Sequence, residues 1–397
     1  MKILYFVHGF PPSIGAGAIN AYEIAKYLGE FGHNILVLSP GVFSKSNPMY
    51  KINKKTHLDL TIKYSSKLMK IPLNLVFSHF ENMLKFFLKF KSTFNPDLVL
   101  SQYSAYQYAS VVGGFVSKIL KIPHIIRSHD IFFLSGELPF YQKYFHSLIY
   151  PGIYNSILNS NIFYVTTSEM RKYFINIKKL QDIKFKIHHN GVDIKTFFPF
   201  KTTDKLKDEY GCNKIILFIG NIAQDYGLQN IIKIFPKLLK DHKDTHFLII
   251  GEGPFKHIML GLIKKLDLRN NIHFLGSKPH TDIPFYINNS DIGIGLLSNK
   301  IHFRYTIPVK CLEYMACKKP FITTPCSEDI IKNNDVGILL NKNFIEEDLK
   351  TNLLSLIEDE NLAKKLGENG LTKINEQFIW EDLMRNFDND LNQLISK

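Results

Sequence analysis

Only 4 cysteines occur in 397 residues (Cys212, Cys311, Cys317 and Cys326), and no two form a Cys-x-x-Cys pair. That scarcity argues against a disulfide framework or a zinc site and favours reduced thiols in a protein interior. Long apolar runs are missing too. The run from Ile3 to Val7 is too short for the hydrophobic region of a signal peptide. No later stretch reaches the roughly eighteen uncharged apolar residues that a spanning helix needs. The sequence is therefore expected to stay in the cytoplasm. It contains no internal repeat, low-complexity tract or arginine-rich arm. The formal charge of +13 is carried mostly by lysines scattered among Ile, Phe, Tyr and Asn. Without a basic stripe, nucleic acid is not expected as a partner. Phosphorylated small molecules, an anionic membrane surface and plain solubility remain as reasons for the charge.

Hydrophobic residues make up 45% and charged residues 21%, the balance of a globular protein, and 397 residues suit two domains. The chain opens as strand, turn, helix and strand. Ile3 to Val7 is continuous and apolar, Pro11-Pro12 and Gly15-Ala16-Gly17 make the turn, and Ile19, Ala21, Ile24, Ala25 and Leu28 recur at helical spacing. Ile35 to Leu38 follows as the next strand. Further strands are expected at Leu98 to Leu100, His124 to Ile126, Phe163 to Thr166 and Lys186 to His188. A second series runs through Ile215 to Ile219, Phe247 to Ile250, Ile272 to Leu275, Ile292 to Leu296 and Phe321 to Thr323. This alternation predicts an α/β protein of two doubly wound, Rossmann-like parallel-sheet domains. We expect residues 1–200 to form the first domain and 201–378 the second. Residues 379–397 are expected to form a helix that packs back on the first. Ligands of such sheets bind beyond the carboxyl ends of the strands, so chemistry is expected in a cleft there.

The richest constellation runs from Arg304 to Pro320. Pro308 suits the first position of a helix, and Pro320 follows its end. The first N–H groups of that helix, around Val309 to Cys311, have no intrahelical partner and form an anion site, to which Lys310 adds a full charge. Glu313, one turn in, could accept hydrogen bonds from vicinal hydroxyls such as those of a ribose. The alternative is that Glu313 pairs with Lys310 and complements the helix dipole.

Pro308-Val309-Lys310-x-x-Glu313-Tyr314-Met315-Ala316, followed by Lys319-Pro320, resembles the nucleotide-binding helix of glycosyltransferase family 4, a retaining GT-B family. The likeness extends over nearly the whole chain. It takes in His8 to Gly17, Gly32-His33-Asn34, Asn190-Gly191-Val192-Asp193, Gly251-Glu252-Gly253-Pro254, Phe274-Leu275-Gly276 and Ser290-Asp291-Ile292. It implies the GT-B fold, a nucleotide-diphosphate sugar donor, a glycan or lipid-linked acceptor, retention at the anomeric carbon, and no metal or separate cofactor. It places Glu313 on the ribose and Gly15, Ala16 and Gly17 over the donor phosphates, with Asn190 near the hinge. His129 falls beside the transferred sugar, in a role of orientation and charge stabilisation, with Asp130 holding its tautomer.

The pattern also departs from the family. Tyr305 stands where a first Glu is usual. Asn221, after Gly220, and Tyr226 stand where an Arg and a Lys usually grip the diphosphate. Lys310, with Arg304 as a second candidate, is expected to take over that grip. A weakened or inactive sugar-nucleotide binder and a nucleotide-sugar epimerase of the same fold are the rival readings. Asp388-Asn389-Asp390 resembles a metal signature but lies in polar helical sequence, where a solvated face is expected. Residues 68–91 mix apolar side chains with Lys70, Lys85, Lys89 and Lys91; this suits either a peripheral contact with an anionic membrane or an ordinary buried helix.

Overall fold

Continuous apolar runs become strands buried on both faces, as parallel sheets require. A computed structural model describes residues 1–11, 16–39, 51–52, 55–56, 58–59, 88, 94–103, 108–129, 131, 151–178, 180–181, 183–298, 303–326, 328–331, 334–341 and 346–396. Gly15, Asp130 and all of 68–91 except Leu88 lie outside the described residues.

The chain divides into two units. Met1–Asn190 with Trp380–Lys397 form the first, and Gly191–Ile379 the second. In the first, the strands are β1 (Lys2–Phe6), β2 (Asn34–Ser39), β3 (Lys51–Ile52), β4 (Lys55–Thr56), β5 (Leu58–Asp59), β6 (Leu98–Tyr103), β7 (His124–Ser128), β8 (Ile162–Val165) and β9 (Phe185–Ile187). Seven of them make one sheet in the order β5-β2-β1-β6-β7-β8-β9, while β3 and β4 pair separately and antiparallel. In that sheet β1 pairs in parallel with both β2 and β6, so the strand order reverses at β1.

The carboxyl-terminal helix, Trp380–Ile395, belongs to this first unit. Trp380, Met384, Phe387 and Leu391 recur at helical spacing and enter the core around Ile3, Tyr5, Ile24 and Leu28. Asp388 meets His33 at 2.5 Å, and Asp390 accepts from the Tyr164 hydroxyl at 2.6 Å and pairs with Lys186. Asp388 and Asp390 therefore do not form the solvated face expected of them. They face basic and phenolic partners on the sheet, where a carboxylate is worth more than in water.

The second unit contains β10 (Lys214–Ile219), β11 (Thr245–Ile250), β12 (Ile272–Gly276), β13 (Ile292–Gly295), β14 (Phe321–Thr323) and β15 (Ile338–Leu339). They form a parallel sheet in the order β12-β11-β10-β13-β14-β15, so here the order reverses at β10. Val192 and Phe197 are buried in this unit, the Val192 N–H donates to the Phe378 carbonyl at 2.8 Å, and the Phe200 N–H donates to Asn288. Those bonds are why the division falls after Asn190 rather than near residue 200. All four cysteines are buried and free. Among the described residues no helix is long and apolar enough to cross a membrane.

Candidate functional site

In a doubly wound sheet the ligand crevice opens where the strand order reverses, beyond the carboxyl ends of the strands. In the second unit that point is the end of β10, and the loops there are laced together by backbone. The Gly220 N–H donates to the Ile250 carbonyl at 3.0 Å, the Gly251 N–H to Gly276 at 2.9 Å, and the Ile222 N–H to Glu252 at 3.0 Å. Gly220 and Gly251 have φ of 140° and 137°, and a Cβ on Gly251 would lie 1.8 Å from the Gly220 carbonyl oxygen. Only glycine permits this approach. Asn221 is exposed, and its Oδ1 lies 2.5 Å from where a Gly253 Cβ would stand.

The helix Val309–Ala316 sits directly on β13. Built Cβ atoms at Gly293 and Gly295 would lie 2.4 Å from the Tyr314 ring and 2.5 Å from Cys311 Sγ, so the alternating glycines make room for these two side chains. The Tyr314 hydroxyl donates to the Leu217 carbonyl at 3.1 Å, which pins the helix to β10 as well. Pro308 is the cap, with ψ of 131°, rather than the first helical residue. The Cys311 N–H is taken by the Pro308 carbonyl at 2.9 Å, so it is not among the open donors expected from the sequence.

With Cys311 and Tyr314 facing inward, Lys310 folds beneath Gly220. Its Nζ lies 4.0 Å from the centre of the Phe218 ring and 4.7 Å from that of Tyr226. It is also 3.0 Å from where a Gly220 Cβ would be. Part of the stem reaches solvent, but Nζ itself does not and has no hydrogen-bond partner among the described residues. Burial pulls its pKa down to about 8, with Cys311 and Glu313 acting weakly the other way. Two ring faces offset some of the lost hydration, yet a buried ammonium without an acceptor still calls for an anion. Tyr226, which occupies the position where the resemblance expects a lysine, is one wall of this cage.

Glu313 corrects the expectation of an open carboxylate. Its side chain is 7% exposed, and Oε1 accepts from His280 Nε2 at 2.8 Å. The His280 contact was not legible in the sequence, and the Lys310–Glu313 pair read there as the alternative does not form. The His280 ring rests on Phe197 at 5.0 Å, which fixes the imidazole against the second unit's core. Val309, Arg304 and Tyr305 are half-buried, and the last two are already engaged.

In the first unit, Ala16 opens the helix Ala16–Glu30 and is exposed. The Gly17 carbonyl accepts from Gln102 Nε2, and Gln102 Oε1 accepts from the His8 N–H, both at 3.0 Å. Gln102 thereby ties the loop after β1 to β6. His129, at the end of β7, is buried beside Arg127, whose Nη1 approaches both ring nitrogens, at 2.9 and 3.2 Å. Burial first, then the Arg127 charge, hold the imidazole pKa well below its ordinary value against a smaller upward pull from the Asn190 side chain, so the ring is neutral. Asn190 is 8% exposed, and its Oδ1 is occupied by Arg127 and Asn20. It supports the neighbourhood of His129 instead of facing open solvent. Sequence reasoning missed Arg127, Asn20, Gln102 and His280. The one available signal was Arg127, a charged residue directly after the apolar pair Ile125-Ile126 in a strand buried throughout.

Residues 18–196 match the family described as Glycosyltransferase Family 4, and residues 200–373 match Glycosyl transferases group 1. The chain is similar to N-acetyl-alpha-D-glucosaminyl L-malate synthase of Bacillus anthracis, at 24% identity over 95% of this chain and 93% of the relative. It is also similar to alpha-monoglucosyldiacylglycerol synthase of Acholeplasma laidlawii, at 23% identity over 93% of this chain and 91% of the relative. Among solved structures, Anabaena HepE in complex with UDP superposes with a TM-score of 0.74 at 18% identity, covering 99% of this chain and 100% of that one. At that identity the likeness is one of fold, and the fold is GT-B.

Proposed function

The chain belongs to the group 1 and family 4 glycosyltransferases and is a transferase of sugars; on that premise we propose that it moves a hexose-type sugar from a nucleoside-diphosphate donor, with retention, to a glycan or lipid-linked acceptor. The observation that carries this reading is the Lys310 Nζ beneath Gly220 at the end of β10, without a hydrogen-bond partner among the described residues. A diphosphate oxygen is the partner it lacks. As the bond between sugar and diphosphate breaks, negative charge grows on the leaving oxygen, and a preorganised cation stabilises that charge more than it stabilises the ground state. In this reading Lys310 supplies the positive charge and no metal ion or separate cofactor is invoked. Glu313, oriented by His280, accepts from the ribose. His129, being neutral, orients the donor and stabilises charge, and the departing diphosphate takes the acceptor's proton.

The two relatives carry the names of a malate-modifying and a diacylglycerol-modifying synthase, so the acceptor does not transfer by likeness. A role in cell-surface polysaccharide or glycolipid assembly fits the class. Contact with an anionic membrane rests on the sequence of residues 68–91 alone. Sedimentation with and without acidic vesicles tests it, and no pelleting in either ends it.

Screening nucleotide sugars by thermal shift tests the donor, since a ligand at a hundred times its dissociation constant adds about 2.7 kcal/mol. We expect one base to stabilise the chain and its sugar to be transferred with its anomeric configuration kept. No shift with any nucleotide sugar would overturn the donor assignment, and an inverted product would overturn retention.

A further inference from the structure

Four side chains of the first unit make hydrogen bonds whose directions are forced. Arg127 is fully buried, and a guanidinium can only donate. Its Nη2 lies 3.1 Å from the Asn190 side chain, so the atom facing it is the carbonyl Oδ1. Asn20 approaches that same Oδ1 at 3.2 Å and must therefore present its amide Nδ2. The same Nδ2 lies 3.3 Å from Nδ1 of His129. An amide nitrogen donates and does not accept, so Nδ1 carries the lone pair and the ring proton sits on Nε2. Asparagine orientation and histidine tautomer are ordinarily matters of assignment; here a group with no freedom starts the chain and fixes both.

Arg127 acts a second way. Its Nη1 lies 2.9 Å from Nδ1 and 3.2 Å from Nε2 of one imidazole, and two such distances cannot both be in-plane bonds. Nη1 therefore sits off the ring plane, and its charge opposes a second ring proton. The other titratable groups around it among the described residues are Tyr5, His188 and His189. His188 Nδ1 accepts from Arg127 Nε at 2.8 Å, and burial, with Arg127 and its neighbours, holds that ring neutral too. Burial also keeps the Tyr5 phenol protonated.

We infer that Arg127, Asn190 and Asn20 are positioning residues that lock His129 as the neutral Nε2–H tautomer, so that it serves the reaction as a hydrogen-bond donor and not as a general base. The catalytic part rests on the transfer reaction proposed above; the tautomer does not. A donor at this strand end can meet a sugar hydroxyl or an oxygen gathering negative charge, and no proton need leave the ring. Asp130, expected from the sequence to hold the tautomer, lies outside the described residues.

The test is 15N NMR of the full chain with labelled histidine. In the wild type, His129 should show a protonated Nε2 and a bare Nδ1, unchanged from pH 6 to 8. Asn20→Asp puts an acceptor where the amide stood, so the proton should move to Nδ1 and kcat should fall about 10- to 100-fold, with the donor KM within about twofold. Asn20→Gln, which keeps an amide donor, should retain the tautomer. A wild-type ring protonated on Nδ1 overturns the inference without any variant, and so does an unmoved proton in a folded Asn20→Asp protein. The expected tautomer with no transfer from any donor supports the lock and sinks the proposed reaction instead.

Discussion

Glu313 Oε1 accepts a hydrogen bond from His280 Nε2 at 2.8 Å, while Lys310, one turn earlier on the same helix, makes no bond to it. A carboxylate only accepts, so His280 must carry its proton on Nε2. The pairing separates two tasks that a Lys310–Glu313 ion pair would have merged. The carboxylate is oriented from outside its helix, and the ammonium keeps its charge for a ligand.

Removing the orienting group should therefore weaken nucleoside recognition without touching the phosphate contact. His280→Ala is expected to lower affinity for the nucleoside diphosphate that the donor screen selects about tenfold by calorimetry, a loss of roughly 1.4 kcal/mol. His280→Gln, with a donor retained, should lose less. Glu313→Ala should lose about 10- to 100-fold and abolish the preference for that nucleoside diphosphate over its 2′,3′-dideoxy analogue. An unchanged preference would take Glu313 off the ribose.

Lys310→Met should separate stability from binding. The variant keeps most of the stem's volume and removes a buried charge with no partner, so it should stabilise the fold by about 1 kcal/mol, or roughly 2–4 °C in Tm. Its affinity for the same nucleoside diphosphate should fall at least tenfold. The sign with pH is fixed by the folded pKa of about 8, below the ordinary 10.5. The unfolded chain holds the extra proton between those values, so the wild type gains stability as pH rises from about 8 toward 10.5. The Tm advantage of Lys310→Met should shrink over that range. Wild-type affinity for the nucleoside diphosphate should start to fall above about pH 8, whereas an ordinary lysine would hold it level to about 10. A flat affinity from pH 7 to 9.5 would remove Lys310 from the diphosphate.

How much of this was legible follows from how local each signal is. Ile215 to Ile219 and Phe247 to Ile250 announced β10 and β11 because a strand buried on both faces must be apolar throughout. Pro308 and Pro320 framed the helix that carries Lys310. The helix Lys256–Lys265 escaped notice because only Met259 and Ile263 are buried on it, too few to show a period. His280 lies 33 positions before Glu313, and no periodicity links a turn after β12 to a helix across the sheet. Asp388 and Asp390 misled in the opposite sense. Their helix reads as polar, and only the fold brings His33, Tyr164 and Lys186 to them.

Gly220 and Gly251 should differ in tolerance although both have positive φ. A Cβ on Gly220 would meet the end of a flexible lysine at 3.0 Å, whereas one on Gly251 would meet backbone at 1.8 Å. Gly220→Ala is expected to cost about 1–3 kcal/mol in urea unfolding and to displace Lys310, weakening binding of the nucleoside diphosphate. Gly251→Ala should cost more, since the loop after β10 must move bodily. Equal costs would mean that the loops are not held together as described.

The helix Trp380–Ile395 makes the most distant sequence contacts of the first unit, and its contribution can be divided. Trp380, Met384, Phe387 and Leu391 supply apolar burial, whereas Asp390 satisfies the Tyr164 hydroxyl and the Lys186 ammonium at one carboxylate. Phe387→Ala should cost about 3–5 kcal/mol through the cavity it leaves. Asp390→Ala leaves a buried phenol without its acceptor and should cost about 1–3 kcal/mol. Asp390→Asn keeps an acceptor for Tyr164 and loses only the charge, so it should cost less than Asp390→Ala. If the two Asp390 variants unfold at the same temperature, the ion pair with Lys186 carries the whole effect and the Tyr164 bond contributes nothing measurable.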